Sequence, residues 1–376
     1  MPQPASRPCA PGYRAGHHTV IHYGRVTSGL CLCESSKMGS CHTAAEDVEF
    51  FMENGYLVVK QAFSRERAAE FTKDMWTRLG LDPHDQSTWP VDRDRIHMPY
   101  HKLEPVATFA PRVWEIMTEL LGGEDRIDPA ASAWGDSFIV NLGTPALAAA
   151  AGPTPPAQLD NWHVDGDFFV HFLDSPEQAL LVIPVFSDIA HAGGATYVAP
   201  QGIDLVARYL AAHPEGVLPA KLSFVPTDSA GDPRAAPGYW SHPDAVRRHC
   251  TAFVELTAQT GDVVLLHPLM MHSASENHLR VPRVITNPRV ELRAPFCFAR
   301  DDPDEYSLVE RKTLRALGVD RLEFAPTTER RRVVPARIGI QAEMLAEEKR
   351  RLDEARARVS MDGDATSAQT RTIAVA

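Results

Sequence analysis

The sequence lacks the long apolar runs and the excess of positive charge that several common classes of protein require. It contains no stretch of about 18 consecutive apolar residues, so no transmembrane helix is expected. It has 38 Lys and Arg against 49 Asp and Glu, a net charge of −11. This acidic balance argues against nucleic acid or a membrane surface as partner. The start of the chain has no apolar signal-peptide core, so a cytoplasmic location is expected.

Cysteine is scarce and unevenly placed, which argues against a disulfide scaffold. Six cysteines occur in 376 residues, and four of them, Cys9, Cys31, Cys33 and Cys41, lie near the start. Dense disulfides belong mainly to small secreted domains. The spacing of these four fits no familiar zinc module, so free thiols are favoured over a metal site. Residues 1–42, rich in Pro, Ser, Gly and His, are expected to form a flexible N-terminal extension.

The rest of the chain has enough apolar residues for one large domain. Hydrophobic residues make up 44% of the sequence, and a single elaborated β-domain can reach this length. Residues 43–335 are predicted to form this domain, with an insertion at about 203–246. Residues 336–376 are predicted to be a C-terminal helix, from Arg337 to about Val359, and a polar tail. Its Leu345 and Leu352 either dock the helix on the domain or pair subunits.

Periodicity and end signals predict the secondary structure in outline. Helix ends are indicated by Ser64 as an N-cap and by Gly122 as a stop signal. Residues 142–158, with an alanine run and four prolines, predict a loop that either covers the site or is an ordinary connection. Helices are predicted at 43–54, 64–80, 110–122 and 203–213, and strands at 178–186, 251–257 and 281–292.

The most informative residues are His163 and Asp165, in the run Asn-Trp-His-Val-Asp-Gly-Asp. In a strand, residues i and i+2 point to the same face, so both side chains can reach one metal ion while Val164 faces away. Two imidazoles and one carboxylate form the triad that holds non-haem Fe(II) and leaves positions open for a co-substrate and O₂. An H-x-D pair alone is a weak signal, because it also occurs at strand ends that bind nothing.

The second histidine of such a triad must come from a distant strand that folds back over the first. Residues 261–272 contain a Gly-Asp pair and two apolar runs, each followed by a histidine. His272 closes the second run at a strand end, from which a ligand can project into a cleft. His267 precedes a proline and is typical of a core histidine bonded to backbone. His272 is therefore favoured over His267, and His278 is interpreted as a loop residue.

An arginine eleven residues after His272 suits a carboxylate anchor. The guanidinium of Arg283 can bind a carboxylate through two parallel hydrogen bonds, which lysine cannot copy. Together with the triad it predicts an Fe(II)- and 2-oxoglutarate-dependent dioxygenase that uses O₂ and releases succinate and CO₂. The intact Asp165 argues against a halogenase. Two alternatives stay open: a metal-dependent cupin oxygenase or isomerase without 2-oxoglutarate, and a catalytically silent binding protein of the same fold.

These motifs resemble the phytanoyl-CoA dioxygenase family. Residues 50–59 are similar to its N-terminal helix–Gly–Tyr–strand segment, residues 193–200 to its Gly-rich turn and strand ending in proline, and residues 261–283 to its distal half-site. Together they span roughly residues 48–292. The resemblance implies a mainly β fold, a double-stranded β-helix (jelly roll, cupin-like) with flanking α-helices.

The same resemblance implies roles for individual residues. The iron ligands would be His163, Asp165 and His272, and Arg283 would pair with the far carboxylate of 2-oxoglutarate. Further contacts to the co-substrate are implied for Thr196 and, more weakly, for Asn141. The chain departs from the family pattern after Pro200, where Gln201 and Gly202 replace a common Gly-Ser-His, and at Ala274, where many members have a hydroxyl residue.

Aromatic residues beside the H-x-D motif suggest an apolar substrate. Phe168 and Phe169 follow the motif closely, and strand alternation points only one of them into the pocket. Trp162 and Trp134 are further candidate walls, and His171 is a candidate substrate contact. Each of these residue types is more often found in the core. The expected partner is an apolar small molecule or acyl substrate, and the oligomeric state is left open.

Overall fold

The structure, a computed structural model, describes residues 43–218, 243–335 and 337–373. The predicted N-terminal extension and residues 219–242 of the predicted insertion lie outside this part of the chain. The helices are α1 (Ala45–Asn54), α2 (Arg65–Thr72), α3 (Met75–Leu79), α4 (Val106–Phe109), α5 (Pro111–Leu121), α6 (Pro145–Ala148), α7 (Gly202–Ala211), α8 (Pro243–His249), α9 (Leu308–Leu317) and α10 (Arg337–Ile373).

The strands are short and all their pairings are antiparallel. They are β1 (Tyr56–Val59), β2 (Arg95–His97), β3 (Leu103–Pro105), β4 (Ala133–Gly135), β5 (Ile139–Asn141), β6 (Leu180–Pro184), β7 (Thr196–Ala199), β8 (Val254–Glu255), β9 (Val263–Leu266), β10 (Met271–Ala274), β11 (Arg283–Ile285) and β12 (Arg289–Val290). None of the described helices is long and apolar enough to cross a membrane.

The strands form two principal layers. In the first, the order is β1-β9-β6-β12, and the group β11-β5-β2 adjoins it through a bridge between Val185 and Ile285. In the second, the order is β10-β7-β8, extended by a bridge between His163 and His272. From β5 onward the chain passes back and forth between the layers, which is the jelly-roll topology. The predicted fold class is confirmed, although the described sheets do not close into a barrel.

The core lies along β6 and β9, where every residue is buried. Both are nearly continuous apolar runs, as expected for strands that are covered on both faces. Four phenylalanines pack helices against this layer. The ring of Phe186 lies 5.3 Å from those of Phe71 and Phe63, and Phe71 lies 4.9 Å from Phe109. Sheet and helices thus share one hydrophobic core.

Several predicted elements are confirmed together with their end signals. The side chain of Ser64 accepts a hydrogen bond from the backbone N–H of Arg67, as an N-cap does. Gly122 ends α5 with a φ of 84°, in the left-handed region that favours glycine. The elements α1, α5, α7 and β6 lie where helices 43–54, 110–122 and 203–213 and strand 178–186 were predicted.

Other predicted boundaries are wrong. Helix 64–80 is two helices, because α2 ends at Thr72, whose hydroxyl donates to the Ala68 carbonyl at 2.9 Å and competes with the helical backbone. Strand 281–292 is divided into β11 and β12, which lie on either side of Pro288, a residue without an N–H to donate. Strand 251–257 shortens to β8, loop 142–158 contains α6, and the C-terminal helix continues to Ile373.

Buried charges hold helix α10 on the domain. The carboxylate of Glu348 lies 2.8 Å from Nε of Arg78 and 2.7 Å from Nε2 of His101. Nη1 of Arg78 lies 2.9 Å from the Asp136 carboxylate. Leu345 is exposed. The helix is therefore anchored to α3 by an ion-pair network in which Glu348 and Arg78 are buried.

Replacing Glu348 with alanine should lower the free energy of unfolding by about 3 kcal/mol, because it leaves the buried Arg78 without one of its two carboxylates. Urea unfolding of the variant and the wild type measures this difference. Glu343, exposed on the same helix, supplies the matched control, and Glu343→Ala should change the value by less than about 0.5 kcal/mol. Similar losses in both variants would contradict the role given to Glu348.

Candidate metal centre

Backbone pairing brings His163 and His272 together from distant parts of the chain. Each backbone N–H donates to the carbonyl of the other at 2.9 Å, and the ring centroids are 4.3 Å apart. Oδ1 of Asp165 lies 3.4 Å from Nε2 of His163 and 3.6 Å from Nε2 of His272. The candidate ligand atoms of these residues all lie within 4.8 Å of one another, a spacing that a single metal ion can bridge.

Hydrogen bonds on the far side of each ring leave Nε2 available. Nδ1 of His163 lies 2.7 Å from the Asn161 carbonyl, and Nδ1 of His272 lies 3.1 Å from the Met270 carbonyl. A carbonyl only accepts, so each Nδ1 holds the proton and each Nε2 presents a lone pair to the centre. The donor set of two imidazoles and one carboxylate therefore fits a divalent metal ion.

The local electrostatics favour the forms that bind metal. Burial is the largest influence that lowers the pKa of His163, followed by the neighbouring His272, so the imidazole stays neutral. Burial alone would raise the pKa of Asp165, but His272 and His163 together hold it well below the usual range. Neutral histidine and ionised aspartate are the forms in which these side chains coordinate a cation.

The turn after Asp165 depends on glycine. Gly166 has a φ of 121°, and a Cβ there would lie 2.5 Å from the ring of Phe169 and 2.7 Å from the ring of His171. Both rings are buried and stacked, with centroids 4.3 Å apart, and Nε2 of His171 lies 2.7 Å from the Gly166 carbonyl. Phe169 and His171 thus lie beside Asp165, where they support the turn and line a small cavity.

The other predicted aromatic walls lie elsewhere. Trp162 and Trp134 are each 1% exposed and belong to the main core, and Nε1 of Trp162 donates to the Pro156 carbonyl at 3.0 Å. Alternation explains this for Trp162, because it faces away from the side that His163 presents. Phe168 lies beneath the guanidinium groups of Arg289 and Arg332. The structure therefore does not place these three rings around an open apolar pocket.

Arg283 lies between the two layers. It pairs with Asn141 across β11 and β5, is 2% exposed, and its Nε donates to the Gly194 carbonyl at 2.9 Å. No carboxylate of the described residues forms an ion pair with it. Burial first, and then the charge of Arg95, lower the pKa of Arg283 to about 10. A buried cation without a counterion is costly, so this position suits an anionic ligand.

Thr196 and Asn141, the two other predicted contacts to the co-substrate, are both buried, but the amide of Asn141 is bonded to backbone. Thr196 is buried on β7, opposite Ala274 of β10. Asn141 is also buried, but its Nδ2 donates to the Ser275 carbonyl at 3.3 Å and its Oδ1 accepts from the Gly143 N–H at 3.0 Å. The amide of Asn141 therefore holds neighbouring backbone in place.

The competing histidines lie outside the cluster. His267 is fully buried, and its Nδ1 accepts from the Leu269 N–H at 3.2 Å while its Nε2 lies 3.0 Å from the Thr313 hydroxyl. These contacts use both ring nitrogens. His278 bonds through Nδ1 to the Leu147 carbonyl and through Nε2 to Glu276.

Three cationic or titratable side chains near the centre were not predicted from the sequence. Arg95 and His97 lie on β2, a strand of only three residues, which is too short for a recognisable period. Arg337 begins α10, and its Nε and Nη2 each lie 2.7 Å from the Asp167 carboxylate. The segment before α10 pairs with residues 168–170, which follow the H-x-D motif. The sequence shows Asp167 after the H-x-D motif and Arg337 at the start of the predicted helix. Their pairing could not be predicted from it, because only the fold brings the two residues together.

Burial of His267 should make stability depend on pH. Burial, the largest influence, lowers its folded-state pKa to about 3, against 6.5 for an unperturbed histidine. Below pH 6.5 the unfolded chain therefore binds a proton that the folded chain excludes. Stability is fully present above pH 6.5 and falls by up to about 1.4 kcal/mol per pH unit below it. Urea titrations from pH 7 to 4 should show a shallower decline for His267→Gln, and parallel curves would contradict this.

Comparisons with known proteins leave the family of the chain undecided. No protein-family profile and no curated protein sequence matches it. HygX from Streptomyces hygroscopicus, solved with nickel, 2-oxoglutarate and hygromycin B bound, is 13% identical with a TM-score of 0.36, over 69% of this chain and 90% of HygX. EctD from S. alaskensis, with 2-oxoglutarate and 5-hydroxyectoine, is 16% identical with a TM-score of 0.35, over 69% and 78%.

A third similar structure is SnoK from nogalamycin biosynthesis, a non-heme alpha-ketoglutarate-dependent carbocyclase. It is 16% identical with a TM-score of 0.36, over 66% of this chain and 84% of SnoK. At these low identities and TM-scores, the function has to be inferred from the side chains of the chain itself.

Proposed function

We propose that the protein is an Fe(II)- and 2-oxoglutarate-dependent oxygenase that oxidises a small molecule. His163, Asp165 and His272 would hold the metal, and Arg283 would bind the far carboxylate of the co-substrate. The observation that supports this best is that the donor cluster, with ligand atoms within 4.8 Å of one another, occurs together with a buried arginine that has no carboxylate partner among the described residues.

The donor set fits Fe(II). Two imidazoles and one carboxylate would leave further coordination positions open for a co-substrate and O₂, as in non-haem Fe(II) oxygenases. When bound, iron and 2-oxoglutarate supply the oxidising chemistry, in which O₂ is consumed and succinate and CO₂ are released. The protein itself would bind and orient the co-substrate and the substrate, and would exclude water from the centre.

The residues around the centre have separate tasks in this proposal. Asn161 and Met270 fix the tautomers of the two histidines through their carbonyls. Asn287 donates to Oδ2 of Asp165 at 3.1 Å, which leaves Oδ1 for the metal. Thr196 offers a hydroxyl group from β7 as a further contact to the co-substrate.

Finer assignments are part of the same proposal. The motifs favour membership of the phytanoyl-CoA dioxygenase family and hydroxylation as the outcome. Residues 43–335 would form the catalytic domain. Anaerobic protein loaded with Fe(II) and titrated with 2-oxoglutarate tests the function, because chelation of the co-substrate gives a visible metal-to-ligand charge-transfer band. Metal binding without this band would favour the cupin alternative, and absence of metal binding would favour a silent binding protein.

A further inference from the structure

Strand β2 is the edge strand of the group β11-β5-β2, in which Arg283 lies on β11. Arg95 and Arg283 both pair with Asn141, from opposite sides, and His97 pairs with Ile139 in the adjacent row. Directly paired residues on neighbouring strands project to the same face of a sheet. Because Arg283 projects between the two layers, Arg95 and His97 project to that side as well, at the edge of the sheet.

The side chains of Arg95 and His97 both have hydrogen-bonding groups available to a ligand. The side chain of Arg95 is 31% exposed, and its ion pair is with its sequence neighbour Asp94 at 3.3 Å, which engages one edge of the guanidinium. His97 is exposed and has no hydrogen-bond or ion-pair partner among the described residues. Two donors on one strand are therefore available to a ligand in the space that Arg283 also faces.

The start of α10 lies beside the H-x-D motif. Arg337 is bidentate on Asp167, two residues after the candidate metal ligand Asp165. The pKa of His97 reflects all these neighbours. Partial desolvation of the ring by the surrounding protein lowers it first, followed by the charges of Arg95, Arg283 and Arg337, and Asp165 acts in the opposite direction. The charges of Arg283, Arg337 and Asp165 thus all act on His97.

The side of the centre that β2 and the start of α10 form is polar and cationic, because its side chains are guanidinium and imidazole groups. Apolar side chains such as Phe169 and Leu269 line the small cavity beside Asp165. If the proposed function holds, the dianionic co-substrate and Asp165 are balanced by a divalent metal and Arg283. The co-substrate then does not require Arg95 or His97.

We propose that Arg95 and His97 bind an anionic oxygen group of the substrate, a carboxylate or a phosphate, and hold the substrate against the metal centre. This inference rests on the proposed function and specifies its substrate class. A guanidinium beside a second donor is the arrangement that recognises such groups, and its hydrogen bonds are stronger than those to a neutral amide.

Anaerobic protein loaded with paramagnetic Mn(II) and saturated with 2-oxoglutarate provides the test. Benzoate, phenyl phosphate and the neutral benzamide are the probes, and enhanced proton relaxation reports their binding near the metal. Benzoate or phenyl phosphate should bind at least about tenfold more tightly than benzamide, and the stronger of the two identifies carboxylate or phosphate. Arg95→Gln and His97→Gln should each weaken that probe about fivefold or more.

Arg93→Gln is the matched control, since Arg93 is exposed, lies just before β2 and carries the same charge. It should leave probe affinity unchanged. Equal or undetectable binding of the anionic and neutral probes would overturn the inference, as would equal losses in Arg93→Gln and Arg95→Gln. A separate 2-oxoglutarate titration of each protein distinguishes this failure from failure of the proposed function, because Arg95→Gln should retain co-substrate affinity.

Discussion

Replacing His272 with alanine should abolish metal binding and turnover, while the fold is retained. The side chain supplies one of three candidate ligand atoms, and its Nε2 lies 3.6 Å from Oδ1 of Asp165, so its loss leaves an incomplete set. His163→Ala and Asp165→Ala should behave in the same way. Metal content after anaerobic Fe(II) loading and gel filtration measures the loss, and circular dichroism reports the fold.

His267→Ala is the matched control for this experiment. It removes a histidine five residues away whose ring nitrogens are bonded to Leu269 and Thr313. The variant should be less stable by about 2–4 kcal/mol, because it leaves a cavity and unpaired partners, and should still bind Fe(II). Loss of metal from His267→Ala with retention by His272→Ala would contradict the assignment of the distal ligand.

Replacing Arg283 with alanine should weaken 2-oxoglutarate binding by about 30- to 1000-fold and leave Fe(II) binding intact. Losing a buried, charge-assisted contact costs about 2–5 kcal/mol. Arg283→Lys should recover little of this loss, since a single ammonium cannot reproduce two parallel hydrogen bonds. Titration of 2-oxoglutarate into the anaerobic Fe(II) protein measures the affinity, and thermal unfolding identifies any loss caused by instability.

Arg280→Ala separates the specific contact from a general effect of charge. The guanidinium of Arg280 lies over the ring of Trp89, 5.5 Å from its centroid, and its Nη2 donates to the Gln86 carbonyl at 3.3 Å. Packing on Trp89 half-buries Arg280, away from the candidate site. Its variant should bind 2-oxoglutarate nearly as wild type does. Unchanged affinity in Arg283→Ala would remove the main support for a 2-oxoglutarate enzyme.

The proximity of the three candidate metal ligands was predictable from the sequence because their spacing follows from strand geometry. His163 and Asp165 lie two residues apart, and His272 ends an apolar run, so period and position were enough to select them. The buried strands were visible for a similar reason, since β6 and β9 are continuous apolar runs. In these cases the local pattern and the tertiary environment agree.

The surroundings of the centre were less predictable because they depend on tertiary contacts between unremarkable residues. Nothing local distinguishes Arg95 or His97 from surface residues until β2 pairs with β5. Trp162 illustrates the opposite error, since its place beside a candidate ligand suggested a pocket wall, whereas alternation turns it into the core. Helix α10 was located, but its attachment through Glu348 and Arg78 joins residues 270 positions apart.

The mutual backbone bond between His163 and His272 has a consequence for how the protein is made. The two residues are 109 positions apart, and both must be in place before the cluster exists. During synthesis, a nascent chain that has exposed only the H-x-D motif presents two of the three candidate ligands and no Arg283. Contacts of such long sequence separation also slow folding, because the entropy of closing the loop is lost before the contact forms. Binding of a metal at the candidate centre is therefore expected late, after the ribosome has released most of the chain.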